Sequence, residues 1–490
     1  MRIIKAPNFL MLALCLFLYS CDDEVIETDL SVYTEEIVFT SAESVIMTGR
    51  VLAFGQIALE DHGFQISTDE NFTNPIVVSL GGKEIPGRFV GQSNGLNSRT
   101  TYFCRSFITY GGETKTGNTL SLATFSPKVI DFSPKEGISN VVITVEGLNL
   151  TADTEILWEG TTIVPEAIIA ETFVEFRVPA LQTNPVIFFK VVSKGDTLTL
   201  NQPYEHIIGQ WTNLGPLDDM ERNQRHIYFE DGDDFIYGLG LALQFLTNNV
   251  HVLDKNTLQR TVLNFPGVAV EGAFFDNTYF GGGSTEKVFS PVQQLNISKE
   301  FWKYENQSFI RLADCPARLY KAVALAADGK VYLYGGETML RQRNLLYYVY
   351  DIATDEWSTG SYAPVSPLNS YPSFHLNGYN YFVVEDGTTY RHDYANNVWE
   401  TVAKFPVKPQ EYGYSIVLDG KAFVGLQGLE KRSYVYRPDD NVWRTKRSIA
   451  ESTFFETKGV WTNNGLIYVV RNNQTSITER FLWRFDPNGF

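Results

Sequence analysis

The chain has 490 residues, a formal net charge of −17, 14% aromatic and 20% charged residues. That length exceeds one ordinary domain, and roughly two to four are expected. The aromatic content excludes a disordered chain and favours strands, and the absence of any clustered Lys/Arg run excludes nucleic acid as a partner.

The first segment, "MRIIKAPNFLMLALCLFLYSC", has Arg2 and Lys5 followed by an apolar stretch from Phe9 to Leu18. That stretch is too short for an ordinary membrane-spanning helix, and residues 1–20 read as an export signal. Removing it takes away two positive charges. The ending "LYSC" resembles the bacterial lipobox, which implies diacylation of Cys21 and a lipid anchor in a membrane. The following Asp22-Asp23-Glu24 resembles the acidic export tag of surface lipoproteins in Bacteroidetes-type bacteria, so residues 21–30 are expected to be an acidic tether. Cys15 and Cys21 lie here, while Cys104 and Cys315 are far apart. No disulfide framework and no metal-ligand spacing result, and no cofactor is expected.

From 31 to 125, short alternating runs such as "ESVIMTGRVLAFG" and "DHGFQIS" read as strands broken by Gly and Asn. "GLNSRTTYFCR" resembles the fibronectin type III corner, which implies a small sandwich with Leu96 capping the core, Tyr102 as the structural corner tyrosine and Arg105 following it on the strand. From 126 to 207, Pro127, Val129, Phe132, Pro134, Gly137 and Gly147, followed by Val178-Pro179-Ala180, resemble the immunoglobulin-like TIG (IPT) domain, a spacer or protein-contact module.

Beyond Gly209 the sequence repeats. A position six residues after a fixed Asp, Asn or Arg holds Arg260, Trp302, Trp357, Trp399 and Trp443, at spacings of 42, 55, 42 and 44 residues. Between these positions, glycines follow apolar strands, as in "KVYLYGG" ending in Gly335-Gly336. The order of apolar strand, glycines, aromatic strand, turn and tryptophan resembles the kelch repeat of β-propellers. The tryptophans are expected to pack between blades rather than form ligand platforms. The final phrase "FLWRFDPNGF" has Asp486 but no tryptophan six residues on, whereas "GQWTNLGPL" around Trp211 looks like a repeat's end without its beginning. Trp211 is therefore expected on the outer strand of the last blade. The fold expected is all-β: two small sandwiches followed by a six-bladed kelch propeller over 208–490, closed by its two ends.

No catalytic constellation is found. A copper oxidase of the galactose-oxidase type needs two histidines, two tyrosines and a cysteine together. Here Cys315 stands in a link between blades, and His251 and His392 fall at or next to the third-strand position held by Tyr350 and Tyr436. A Ser/His/Asp triad and a P-loop are absent as local motifs. Loops joining blades and loops following the glycines should emerge on one face. The first set holds Arg222, Arg225, Arg318, Tyr320, Tyr371, Tyr412, Tyr414 and Phe455; the second holds Glu337, Arg341, Arg343, Glu385, Gln427 and Arg471. Aromatic, Arg, Glu and Gln side chains suit sugars and protein hot spots equally. The expectation is a non-enzymatic, lipid-anchored outer-membrane protein, exposed at the cell surface, that binds an extracellular glycan or an outer-membrane protein partner as an accessory to polysaccharide uptake. A sugar-active enzyme of the sialic-acid mutarotase kind and a structural scaffold remain as alternatives.

Overall fold

The computed structural model describes residues 30–53, 55–217, 223–242, 244–427, 430–450, 457–472 and 479–490. Cys21 and the signal and tether segments lie outside them, as do Arg222 and Phe455. The described chain is all-β, with no helix. It divides into two compact units: residues up to 133 with 143–176 and 188–201, and residues 134–142, 177–187 and 202–490.

In the first unit, a three-stranded sheet (Ser31–Thr40, Val45–Leu52, Gly87–Ser93) and a four-stranded sheet (Ile76–Ser79, Asp61–Ser67, Thr101–Tyr110, Glu113–Ala123) share one core. Period-two alternation sends Val45, Met47, Phe64, Ile66 and Cys104 inward, all at 0% exposure. Tyr102 is buried, and its hydroxyl accepts the Asn97 N–H at 3.0 Å. A second cluster in the same unit is aromatic: Trp158 stacks on Phe189 at 5.6 Å, with Phe132 and Phe176 edge-on.

The second unit contains six four-stranded antiparallel sheets, here numbered by the order of their first strands. Sheets 1 to 5 occupy 227–264, 274–311, 323–362, 373–402 and 414–446. Sheet 6 combines Thr457–Asn463, Leu466–Asn472 and Arg480–Asp486 with Gln210–Pro216. Each sheet's first strand adjoins the first strand of the next sheet, and that of sheet 6 adjoins that of sheet 1. A small sheet of Val186–Ile187, Tyr204–His206 and Glu136–Gly137 belongs to the same unit. It is held to sheet 5 by Glu205, paired with Arg437 at 3.0 Å and Arg444 at 2.9 Å, and by Glu136, which accepts the Thr445 N–H at 3.1 Å.

The repeat has a local cause. Asp254, Asp351 and Asp393 each end a third strand, and each carboxylate accepts the N–H groups two and three residues on, closing the turn. Next comes a residue with positive φ: Asp355 at 55°, Asn397 at 54° and Asn441 at 50°. In sheets 3 and 5 the carboxylate or amide oxygen of that residue accepts two bonds. Tyr350 Oη donates to Asp355 at 2.8 Å and Tyr436 Oη to Asn441 at 2.9 Å. Ala313 and Ala403, in the links from the preceding sheets, donate their N–H groups to the same oxygens at 2.8 and 2.9 Å. The indoles answer: Trp357 Nε1–H donates to the Ala313 carbonyl and Trp443 Nε1–H to that of Ala403, both at 3.0 Å. Each link is thus gripped reciprocally by the following sheet. His392 stands opposite Trp399 as Tyr350 stands opposite Trp357, and it contacts Asn397 at 3.3 Å, so it is part of the sheet's packing.

Trp211 lies opposite Phe485, Gln210 lies opposite Asp486, and the indole donates to the Arg447 carbonyl at 3.0 Å. This is the pairing of Trp357 with Tyr350, made by residues 274 positions apart in the chain. Trp302 is a correction. It sits on the third strand of sheet 2, Phe301–Glu305, and Phe309 occupies the position opposite Tyr304 where sheets 3 to 6 place tryptophan. Sheet 2 carries a long segment between its second and third strands and a short turn after the third, so counting six from Asn296 lands one strand early. Gly335 and Gly336 have φ of 62° and 77°, and a Cβ on Gly335 would meet the Pro367 carbonyl at 2.0 Å. Glycine is required there by backbone approach.

Trp443→Phe keeps most of the buried ring but leaves the Ala403 carbonyl without its donor. The expected cost is about 1–3 kcal/mol, read as a lowered denaturation midpoint at unchanged slope. A variant as stable as wild type would show that the grip is ornamental.

Candidate functional site

The inner ends of the six sheets converge on one pocket. Two residues before a first strand, Arg225, Gly272, Lys321 and Tyr412 have φ of 51°, 65°, 55° and 67°. In that conformation each peptide joins a belt running from sheet to sheet. Gly272 N–H donates to the Arg225 carbonyl and Lys321 N–H to that of Gly272, both at 2.8 Å. The belt continues from Asn369 to Lys321 and from Tyr412 to Ser370, both at 3.0 Å, then from Thr457 to Tyr412 at 2.8 Å. Left-handed backbone costs a non-glycine residue roughly 1–2 kcal/mol, and such strain persists where surrounding structure enforces it. Here it aims three large side chains inward, because Arg225, Lys321 and Tyr412 all line the pocket.

The pocket has a cavity volume of about 80 Å³, room for one small molecule or a few waters. Three of its lining side chains are more than nine-tenths buried and carry a polar atom with no hydrogen-bond partner among the described residues: Ser370 Oγ, Gln427 Nε2 and Thr457 Oγ1. Buried polar atoms are ordinarily satisfied. His226 also lines the pocket. Its Nε2 lies 2.8 Å from the Lys458 carbonyl, which makes that nitrogen the donor and leaves Nδ1 a lone-pair acceptor without a partner. Burial, with Lys458 nearby, depresses this imidazole to about 3, so it is neutral at physiological pH.

The two cations differ in kind. Arg225 Nη1 lies 3.1 Å from both carboxylate oxygens of Glu271, whose side chain is 0% exposed. Lys321 Nζ has longer contacts: 3.5 Å to Glu411, 3.4 Å to Tyr412 Oη and 5.4 Å to the centre of the Tyr412 ring. Burial holds the Lys321 ammonium below the usual lysine range, partly opposed by Glu411.

Below this mouth, the rings of Tyr228 and Phe275, 4.9 Å apart, border both it and a second chamber that contains Asp276. Burial pushes the Asp276 carboxyl up to about 6, although it accepts N–H bonds from Ala326 and Asn277.

Of the loop residues singled out in sequence, Arg225, Tyr371, Tyr412 and Gln427 line the mouth. Tyr414 is corrected to core: it is 1% exposed and its hydroxyl donates to Ser433 at 2.8 Å. Arg471 is likewise buried, at 1% exposure. Tyr320 is buried with Leu295 and Ile297 beneath Arg341, which pairs with Glu337 at 3.0 Å. Arg343 pairs with Glu385 at 2.8 Å, and Arg318 bonds the Ile297 carbonyl. None of these eight lines the pocket. Sequence reasoning missed Lys321, His226, Asn369, Ser370 and Thr457. Aligning loops by distance to the first strand, rather than by residue type, would have put Lys321 beside Arg225 and Tyr412. Among the described residues, no group of three His, Cys, Asp or Glu side chains could hold a metal ion.

No family model matches the chain. A stretch of 135 residues is 30% identical to the human Kelch-like protein 38; it covers 26% of this chain and 22% of that protein, so the chain spans about a fifth of its curated relative. Among solved structures, YjhT aligns with a TM-score of 0.41 at 12% identity, over 54% of this chain and 93% of that one. A protein of unknown function from Bacteroides thetaiotaomicron aligns with a TM-score of 0.38 at 11% identity, over 74% and 98%. The kelch-like match and the four-stranded sheets support a kelch-type β-propeller.

Asp276 yields a test of the lower chamber. With its folded value near 6 and its ordinary value at 3.8, the folded chain holds the proton more tightly. Its contribution to stability is therefore present at low pH and lost as pH rises from about 4 to 6. Asp276→Asn should gain stability relative to wild type across that window, by up to about 3 kcal/mol. Denaturation at pH 4, 5, 6 and 7 measures the difference, and a pH-independent difference would refute the assignment.

Proposed function

We propose that the second unit is a six-bladed, ring-closed propeller that binds a ligand in its axial mouth, and that it is carried at the outer surface of the outer membrane by a lipid on Cys21. The observation that carries the binding reading is the set of polar atoms without a partner among the described residues on Ser370, Gln427 and Thr457, three buried side chains contributed by different parts of the ring. A folding core gains nothing from leaving them unsatisfied, whereas a ligand with hydroxyl groups satisfies them. Two small sandwich modules, fibronectin-like and TIG-like, would hold the ring away from the membrane, in keeping with an accessory role in polysaccharide uptake. A glycan is the ligand favoured by this lining.

A second reading, a sugar-active enzyme, draws on one observation: the His226 Nδ1 lone pair shares the pocket with Lys321. A proton acceptor beside a buried amine is a minimal acid–base pair. Turnover of a labelled sugar anomer by the purified chain would favour it over binding alone.

Ser370→Trp fills the mouth and Gln427→Ala removes a donor. Glycan-array binding by the wild-type chain should fall at least tenfold in each, with thermal midpoints within a few degrees of wild type. Retained glycan binding in Ser370→Trp would sink the axial site. An array without hits, alongside capture of a defined outer-membrane partner, would favour the scaffold reading.

Ring closure has its own test. Removing residues 480–490 takes out the strand between Leu466–Asn472 and Gln210–Pro216. Hydrogen exchange should then show 210–216 unprotected and the whole unit less stable, whereas protection retained at 210–216 would contradict closure.

A further inference from the structure

The mouth holds two cations, but only one has charge to spare. Arg225 and Glu271 form an internally neutral pair: both carboxylate oxygens lie at 3.1 Å, and Glu271 accepts a further bond from the Val288 N–H at 2.5 Å. Removing Arg225 would strand a fully buried carboxylate, so its role is structural in the first place. Lys321 is different. Its side chain is 13% exposed, and its nearest carboxylate, Glu411, is 3.5 Å away and 34% exposed. An ammonium has three donors, and neither contact reaches the usual 2.9 Å of an N–H···O bond. Its backbone is held at a φ of 55° by the belt, so the side chain is committed to the mouth.

The neutral groups complete the description. Gln427 Nε2 is a donor, His226 Nδ1 an acceptor, and Ser370 Oγ and Thr457 Oγ1 serve either way. Hydroxyl groups donate and accept at once, and suit such a mixed lining. One under-satisfied ammonium suits one negative group. A doubly charged group would be repelled by Glu271 and Glu411, which stand behind Arg225 and Lys321 as their partners.

We propose, resting on the axial-binding reading above, that the ligand is a sugar acid: a small polyhydroxylated molecule, or the terminal unit of a glycan, whose single carboxylate is read by Lys321. Arg225 holds the wall against which it sits, and the serine, glutamine, threonine and histidine meet its hydroxyls.

The test is calorimetric titration of the full chain with glucuronate, galacturonate and gluconate, their neutral parent sugars, and glucose 6-phosphate. At least one acid should bind tenfold or more tighter than its parent. Lys321→Met should abolish that preference, and Lys321→Arg should retain it. Raised salt should weaken the acid and not the parent. Equal affinities for acid and parent, both lost in Ser370→Trp, would overturn the charge reading and leave the axial site standing. A preference that survives in Lys321→Met would also overturn it. Tighter binding of the phosphate would replace the carboxylate by a phosphorylated sugar. Binding that Ser370→Trp does not affect, or none by any of these sugars, would overturn the proposal together with the site.

Discussion

The reciprocal grip by which sheets 3 and 5 hold the links that precede them is the constraint that fixes the spacing of neighbouring sheets there. A four-stranded sheet with two apolar faces cannot bury both alone, and neighbours must be held at fixed separation. Large rings provide area but little direction. Direction comes from the paired bonds: a link alanine donates to an Asp or Asn oxygen, and the tryptophan donates back to the alanine carbonyl. Trp211 repeats half of that grip across 236 residues. Sheet 4 lacks it. There Trp399 stacks on His392 at 4.2 Å and its Nε1 has no partner among the described residues, so aromatic contact substitutes for the directed bond.

Fixing the outer parts of the sheets allows the inner loops to be strained. Arg225, Lys321 and Tyr412 occupy left-handed backbone that none of them favours. In an isolated loop such residues would relax. Here the belt of peptide bonds from sheet to sheet holds them, and the belt has its register only because the sheets are already placed. Strain is therefore concentrated at the axis, where three large polar side chains are turned inward. The strained residues and the polar atoms without a partner among the described residues line the same pocket, an association expected of a preorganised site.

Much of this was legible in the sequence, for physical reasons. The turn-closing aspartates act on their own neighbours, so Asp254, Asp351 and Asp393 stand at a fixed distance from the position opposite the third strand, and the period follows. The same counting placed Trp211 opposite the Asp486 strand. It failed at Trp302 because the spacing in sheet 2 is set by a long inserted segment, not by a turn. The mouth was less legible. Tyr414 and Tyr412 are two residues apart and alike in type, yet strand alternation buries one and the left-handed turn presents the other. Residue type drew attention to Arg318, Arg341 and Arg343, which are engaged around the rim with Ile297, Glu337 and Glu385. Ser370 and Thr457 carry no signal in type at all, since what marks them is the absence of a partner, a property only the folded chain possesses.

An acidic chain is a poor long-range host for an acidic ligand, and net charge of −17 argues against attraction at a distance. Distance is the deciding variable. Beyond roughly 8–10 Å salt screens most of that charge, so the surface sets the rate of approach more than the strength of binding. Inside the mouth the interaction is local and the effective dielectric low, and a single under-satisfied ammonium outweighs distant carboxylates. The nearer acids do not cancel it. Glu271 is already engaged by Arg225, and Glu411 is partly solvated and stands off at 3.5 Å. The expected consequence is a site that gains little from long-range steering and discriminates at short range, where one charge and a few hydroxyl contacts decide which molecule stays.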